Sequence, residues 1–139
     1  ETALTGKAVN IIHNPGYAEG MSTSLRAGLT ALPADTEAVI ICLGDMPHVD
    51  AGIIARLIEA YKIADGHAIC VPTYKGKRGN PVLWSAHYFE DMQHLAGDVG
   101  ARHLIGKHSD AVHEVECGDS AVTFDVDTPE ALKYLVMRG

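Results

Sequence analysis

The alternation of apolar and polar positions predicts strands separated by helices. Residues 39–43 are all apolar or sulfur-containing, with no polar alternation, which is typical of a strand covered on both faces. Pro47 ends this strand, because proline has no N–H to donate to a sheet ladder. Shorter apolar runs at residues 8–12 and 68–71 predict two further strands, and residues 112–117 alternate like a half-buried strand.

Helical periodicity occupies the segments between these strands. Leu57 and Tyr61 belong to an apolar stripe that predicts a core-facing helix over about residues 51–64, with Asp50 as its N-cap. A glycine followed by Ser and Thr at residues 20–24 predicts an earlier helix start. The resulting order of strands and helices favours an α/β fold with a mostly parallel sheet and right-handed crossovers.

The pattern changes in the second half of the chain. Residues 74–81 form a basic, glycine-punctuated loop, which is followed by a short strand at residues 82–84. A helix is predicted over residues 85–95. Asp98 is then placed to N-cap a short helix that carries Arg102 in its first turn.

Composition and charge narrow the class of protein. The chain has 139 residues, 47% hydrophobic and 21% charged, which suits one globular domain over residues 1–139. A formal net charge of −7 argues against nucleic-acid binding, which depends on neutralising phosphates. No apolar run approaches the ~20 residues of a membrane span. Cys42, Cys70 and Cys117 lie in apolar runs without paired spacing, so we expect buried, unpaired thiols in the reducing cytoplasm.

Three aspartates are candidates for a cation site. Asp45 follows the strand at residues 39–43, and ligands of open α/β sheets lie outside the carboxyl ends of the strands. Asp125 and Asp127 share one side of an extended segment, because side chains repeat every two residues. One of them facing Asp45 would make a site for a hard cation. The alternatives are a turn cap at Asp45 and an N-cap of a final helix at Asp127.

The basic loop and the histidines leave two further questions open. Lys75, Lys77 and Arg78 could form a solvated hairpin tip or a positive flap over an anionic substrate. The eight histidines lack the spacing of a zinc site. Only His13 and His48 flank the expected cleft.

Five motifs follow one another along the chain in an order that matches a known family. They are His-Asn-Pro-x-Tyr-Ala-x-Gly-x-x-x-Ser-Leu-x-Ala-Gly-Leu (13–29), Gly-Asp-Met-Pro (44–47), Arg-Gly-Asn-Pro-Val-Leu (78–83), Gly-Asp-x-Gly-Ala-Arg (97–102) and Asp-Val-Asp-Thr-Pro-Glu (125–130). Together they resemble the MobA-like nucleotidyltransferase family, and within it the molybdenum-cofactor cytidylyltransferase branch.

This resemblance implies a fold and a reaction. The fold is a Rossmann-like, three-layer α/β nucleotidyltransferase fold of the GT-A type. The reaction transfers a nucleoside monophosphate, with CTP as the favoured donor, onto a phosphorylated pterin acceptor, the molybdenum cofactor. Pyrophosphate is released and Mg²⁺ is the cofactor. The resemblance also implies contact with a molybdoenzyme as a partner.

The resemblance assigns roles to particular residues. Asp45 and Asp127 match the two acidic positions that bind the metal and support catalysis, with Asp125 as a companion. The nucleotide-binding positions are Gly20 and Ser24, together with Asp45. The acceptor-binding positions are Arg78, Gly79, Asn80, Asp98 and Arg102.

One element of the family pattern is missing from this sequence. The family opens with a strand and a glycine-rich loop that holds the triphosphate, and neither occurs here, so we expect an incomplete domain that lacks activity by itself. Two other interpretations remain open. Asp125-Val126-Asp127 resembles the DxD motif of a metal-dependent nucleotide-sugar glycosyltransferase, and the missing loop favours a non-catalytic binding module.

Overall fold

The computed structural model describes residues 21–42, 46, 48–64, 67–94 and 102–123, and these residues form an α/β fold. They belong to two compact units. The helical unit takes in the described residues of Glu1–Thr36 and Tyr88–Lys107, and the sheet unit those of Glu37–His87 and His108–Gly139. The prediction that residues 1–139 form one domain stays a prediction. The strand expected at residues 8–12 lies outside the described residues.

The regular elements are short. The helices are α1 (Met21–Thr30), α2 (Ala51–Ile63), α3 (Phe89–Gln93) and α4 (Arg102–Lys107), and the strands are β1 (Ala38–Ile41), β2 (Ile69–Tyr74), β3 (Lys77–Arg78), β4 (Val82–Ser85) and β5 (Val112–Glu116). Single 3-10 turns occur at Ala86–Tyr88, Ser109–Ala111 and Ser120–Val122. No helix among the described residues is long and apolar enough to cross a membrane.

The sheet unit contains three strands that point the same way. β1 and β2 both pair antiparallel with β4, which lies between them, and β5 pairs parallel with β2. β1, β2 and β5 therefore share one direction, as the α/β pattern predicts. The insertion of β4 was not predicted. Its two edges pair with β1 and β2, and all four of its residues are buried, so β4 is also covered on its faces.

Helix α2 matches its prediction closely. It begins at Ala51, and the Ile53 N–H donates to Asp50 Oδ1 over 3.1 Å, which confirms Asp50 as the N-cap. Its residue Leu57 is fully buried in a cluster with Ala68, Cys70 and Leu83, which joins the helix to β2 and β4.

The helix predicted over residues 85–95 begins later than its sequence pattern suggests. The Ser85 N–H donates to the Ala68 carbonyl over 3.2 Å, and the Ala86 N–H donates to the Glu37 carbonyl over 2.8 Å. These bonds keep both residues with the sheet, so the chain makes a 3-10 turn before α3 begins at Phe89. The prediction of a helix start at Ser85 was therefore wrong.

The cysteines fit their prediction in part. All three are free, and Cys70 and Cys117 are buried. Cys42 was expected to be buried and is exposed, because β1 ends one residue before it, at Ile41.

Substitution of Leu57 tests the core of the sheet unit. Leu57→Ala removes side-chain atoms that are 0% exposed, so we expect it to lower the free energy of unfolding by about 2–5 kcal/mol. Ile63→Ala is the matched control on the same helix, since Ile63 is 81% exposed, and its cost should stay within about 0.5 kcal/mol. Both values come from urea unfolding. Equal costs would contradict this packing.

Thiol reactivity tests the three cysteine environments. Desolvation raises the pKa of each thiol, so all three are mainly protonated at neutral pH and access decides their relative rates. We expect a thiol reagent to modify Cys42 first in the native protein and the other two only on unfolding. Cys42→Ser should remove the fast phase. Fast modification that persists in this variant would show that a buried thiol is accessible.

Candidate functional site at the carboxyl edge of the sheet

The shared direction of three strands defines a candidate site. β1, β2 and β5 end at Ile41, Tyr74 and Glu116, and these ends lie at one edge of the sheet, which we name the carboxyl edge. This edge is where open α/β sheets bind ligands. The chain leaves β1 here and reaches Asp45 four residues later. Asp45 itself lies outside the described residues.

The basic loop of the sequence forms a tight hairpin at this edge. Lys75 and Gly76 connect β2 to β3 with φ values of 52° and 80°, the positive values that a type I′ turn requires at both central residues. The Lys75 N–H donates to Glu116 Oε1 over 2.7 Å, and the Gly118 N–H donates to Glu116 Oε2 over 3.3 Å. The Glu116 carboxylate thereby ties the hairpin to the loop that follows β5.

Arg78 has an acidic neighbour on β5. Its Nε donates to Glu114 Oε2 over 2.6 Å, and both side chains are 48% exposed. A guanidinium has five N–H donors, so this ion pair still permits contact with a phosphate. The predicted acceptor role of Arg78 stays a prediction. The acidic partner was missed, although Glu114 and Glu116 at a spacing of two mark one face of a strand.

Gly79 and Asn80 form a bulge between β3 and β4. β2 pairs with β3 at Thr73↔Arg78 and with β4 at Cys70↔Leu83, so two residues of β2 face four residues of the opposite chain. The Gly79 N–H donates to the Pro72 carbonyl over 2.8 Å, and the Asn80 N–H donates to the Val122 carbonyl over 2.9 Å. The bulge thus contacts the 3-10 turn at Ser120–Val122.

The predicted site residues that the structure describes belong to two units. Arg78, Gly79 and Asn80 lie together at the carboxyl edge. Ser24 is an exposed residue of α1, and Arg102 is the first residue of α4, both in the helical unit. The predicted site residues outside the described part of the chain are Gly20, Asp45, Asp98, Asp125 and Asp127, and His13 lies outside it too. His48 is half-buried.

The described residues do not by themselves make a metal site. Within them, no group of three or more His, Cys, Asp and Glu side chains could hold a metal ion. The carboxylates of Glu114 and Glu116 are already engaged by Arg78 and by backbone N–H groups. The donors implied by the resemblance, Asp45 and Asp127, are both carboxylates, a ligand type that suits Mg²⁺ or Mn²⁺.

Comparison with known proteins identifies the family. The model of the MobA-like NTP transferase domain matches residues 1–112. The chain belongs to this family. The family resemblance of the sequence motifs is confirmed.

Two relatives of this MobA-like chain carry different names. The molybdenum cofactor cytidylyltransferase of Escherichia coli K12 is 30% identical over 124 residues, which cover 88% of the chain and 59% of the relative. The nicotine blue oxidoreductase of Paenarthrobacter nicotinovorans is 24% identical over 131 residues, covering 91% and 64%. The chain therefore spans about three fifths of the length of these relatives.

Solved structures confirm the α/β nucleotidyltransferase fold. A homologue of Mycobacterium tuberculosis Rv0371c from Mycobacterium sp. strain JC1 superposes with a TM-score of 0.72 at 30% identity, covering 86% of this chain and 58% of that one. Rv0371c in complex with manganese gives a TM-score of 0.71 at 28% identity, covering 82% and 59%.

A double-mutant cycle measures the Arg78–Glu114 pair. Because both side chains are half-exposed, we expect a coupling energy of about 0.2–1 kcal/mol between Arg78→Ala and Glu114→Ala, which weakens in 1 M salt. Lys77→Ala with Glu114→Ala is the matched control and should show less coupling, because adjacent residues of a strand point to opposite faces and Lys77 therefore points away from the face that carries Arg78. A coupling that is equal in both cycles would mean that the cations act only through net charge.

Proposed function

We propose that this protein transfers CMP from CTP onto a phosphorylated pterin, the molybdenum cofactor, with release of pyrophosphate. The proposal is supported by the family, by the relative that is a molybdenum cofactor cytidylyltransferase, and by the layout of the carboxyl edge. A cytoplasmic location is part of the proposal, because the three cysteines are free. A molybdoenzyme is the proposed recipient of the product.

One observation carries the proposal. Ile41 at the end of β1 pairs with Val82, which begins β4 directly after the bulge, and the bulge holds the Val122 carbonyl. The segments that lead to Asp45 and Asp127 therefore leave from neighbouring places on one edge. Asp45 lies four residues after Ile41, and Asp127 lies five residues after Val122. Segments of this length extend at most about 14–18 Å, so both carboxylates can reach a common point.

The reaction needs positioning and charge neutralisation more than covalent help. An oxygen of the acceptor phosphate attacks the α-phosphorus of CTP, a new P–O bond forms, and the bond to the bridging oxygen of pyrophosphate breaks. A divalent cation bound by Asp45 and Asp127 would supply charge neutralisation for the phosphates.

The remaining roles concern binding. Arg78, which lies at the carboxyl edge, supplies positive charge for the acceptor phosphate. The acceptor roles of Gly79, Asn80, Asp98 and Arg102 and the nucleotide roles of Gly20 and Ser24 are proposed from the family motifs.

Pyrophosphate release by the full-length protein tests the proposal. With CTP, Mg²⁺ and the phosphorylated pterin, we expect product and pyrophosphate in equal amounts. Asp45→Asn and Asp127→Asn should each lower the rate by a factor on the order of 100, because charge neutralisation in the transition state is lost. Asp35→Asn, at an exposed aspartate of the helical unit, is the control and should leave the rate unchanged.

Substrate controls separate the alternatives. GTP in place of CTP tests the base preference. Transfer of a sugar from a nucleotide sugar without pyrophosphate release would favour the glycosyltransferase interpretation. Nucleotide binding without any product would favour a binding module. Turnover of a redox substrate alone would align the protein with its oxidoreductase relative, and each of these three results would overturn the transferase proposal.

A further inference from the structure

We propose that Gly79 is a positioning residue: its lack of a side chain lets the bulge hold the Val122 carbonyl, and this contact sets where the chain leading to Asp125 and Asp127 begins. The part of this inference that concerns metal binding rests on the proposed function. The family motif placed Gly79 at the acceptor, whereas its described contacts lead to the second acidic segment.

The bulge at Gly79 and Asn80 lies opposite a proline of β2. Pro72 lies in β2, and its carbonyl accepts the Gly79 N–H from the opposite chain. In a strand, the N–H and C=O of one residue point to the same side, so this side of β2 has no donor at residue 72. The ladder cannot continue in register past Pro72. The opposite chain gains two residues there, and the Asn80 N–H is directed to Val122 instead.

The contact between Gly79 and the backbone of Val122 leaves no room for a side chain. A Cβ added to Gly79 would overlap the Val122 carbonyl oxygen and lie 2.6 Å from the carbonyl carbon and 3.3 Å from the Thr123 nitrogen. All three are backbone atoms, which cannot rotate away as the end of a flexible side chain can. Any side chain at residue 79 must therefore displace the backbone at residues 122–123 or open the bulge.

The 3-10 turn that Gly79 contacts is held in place by packing and by a hydrogen bond. Val122 is fully buried in a cluster with Ile53, Cys117 and Ala121. The Ala121 N–H donates to Asp119 Oδ1 over 2.9 Å, and this bond caps the 3-10 turn. The turn is held on its apolar side and at its start, so a side chain at residue 79 would displace its end, at Val122 and Thr123.

The two aspartates follow this turn closely in the sequence. Asp125 and Asp127 lie two and four residues after Thr123. Two to four residues reach at most about 7–14 Å, so a displacement of an ångström at the turn is a large error for carboxylates that must meet one cation. Metal ligation by oxygen tolerates only small changes in distance.

The test compares Gly79→Ala with Gly28→Ala in the full-length protein. A Cβ at Gly28 meets nothing within 4 Å, so Gly28→Ala is the matched control. The first readout is hydrogen exchange of the backbone amides in residues 120–123, which needs no metal. We expect Gly79→Ala to accelerate this exchange at least tenfold and Gly28→Ala to leave it unchanged. Unchanged exchange in both variants would overturn the positioning role.

The second readout is the dissociation constant of Mn²⁺, measured by water-proton relaxation without substrates. We expect Gly79→Ala to weaken binding at least tenfold, as Asp127→Asn does. Leu57→Ala should leave it within twofold, because loss of stability alone does not move the ligands. If Asp127→Asn weakens Mn²⁺ binding and Gly79→Ala does not, the positioning role is wrong while the proposed metal site stands. If the wild type binds no Mn²⁺, the proposed function fails and hydrogen exchange still decides the positioning role.

Two further variants separate position from acceptor contact. Asn80→Ala keeps the N–H that reaches Val122, so Mn²⁺ binding should stay within twofold, and a raised KM for the pterin would assign the side chain to the acceptor. Replacing Asn80 by its α-hydroxy acid removes this N–H without adding volume. It should weaken Mn²⁺ binding even if Gly79→Ala fails to fold, and unchanged binding in this ester would also overturn the inference.

Discussion

The hydrogen bonding of β2 on both of its edges is the constraint that organises the sheet unit. Residues Ile69 to Thr73 are all buried, so their backbone groups need partners within the protein. One edge pairs with β5, and the other pairs with β4 and then with β3. The direction of β2 thereby sets which strand ends meet, and the carboxyl edge is a consequence of this pairing.

The single interruption described on the β3/β4 side of β2 is also its most informative feature. Pro72 supplies a carbonyl but no N–H, and the chain opposite it bulges at Gly79 and Asn80. A defect in the ladder thus becomes a point of attachment for Val122. The motif Arg-Gly-Asn-Pro therefore has a role in the backbone structure of the protein.

The acidic groups of the carboxyl edge also have partners within the protein. Glu116 satisfies two backbone N–H groups, and Glu114 holds the Arg78 guanidinium. Acidic side chains of β5 thus serve the hairpin rather than a cation. In a chain with a formal net charge of −7, the hairpin brings together three cationic side chains, those of Lys75, Lys77 and Arg78.

The sequence by itself determined the features that depend on near neighbours. Helix α2 with its Asp50 cap and the buried strand β2 were predicted, because periodicity and capping are local properties. Strand β1 was expected to be covered on both faces and is only half-buried, since among the described strands it lies at the end of the sheet and pairs with β4 alone. Only the tertiary structure decided that β4 lies between β1 and β2, that Arg78 meets Glu114, and that Gly79 touches Val122. These contacts join residues about 13 to 47 positions apart, and no local pattern specifies which distant backbone group will satisfy an unpaired one.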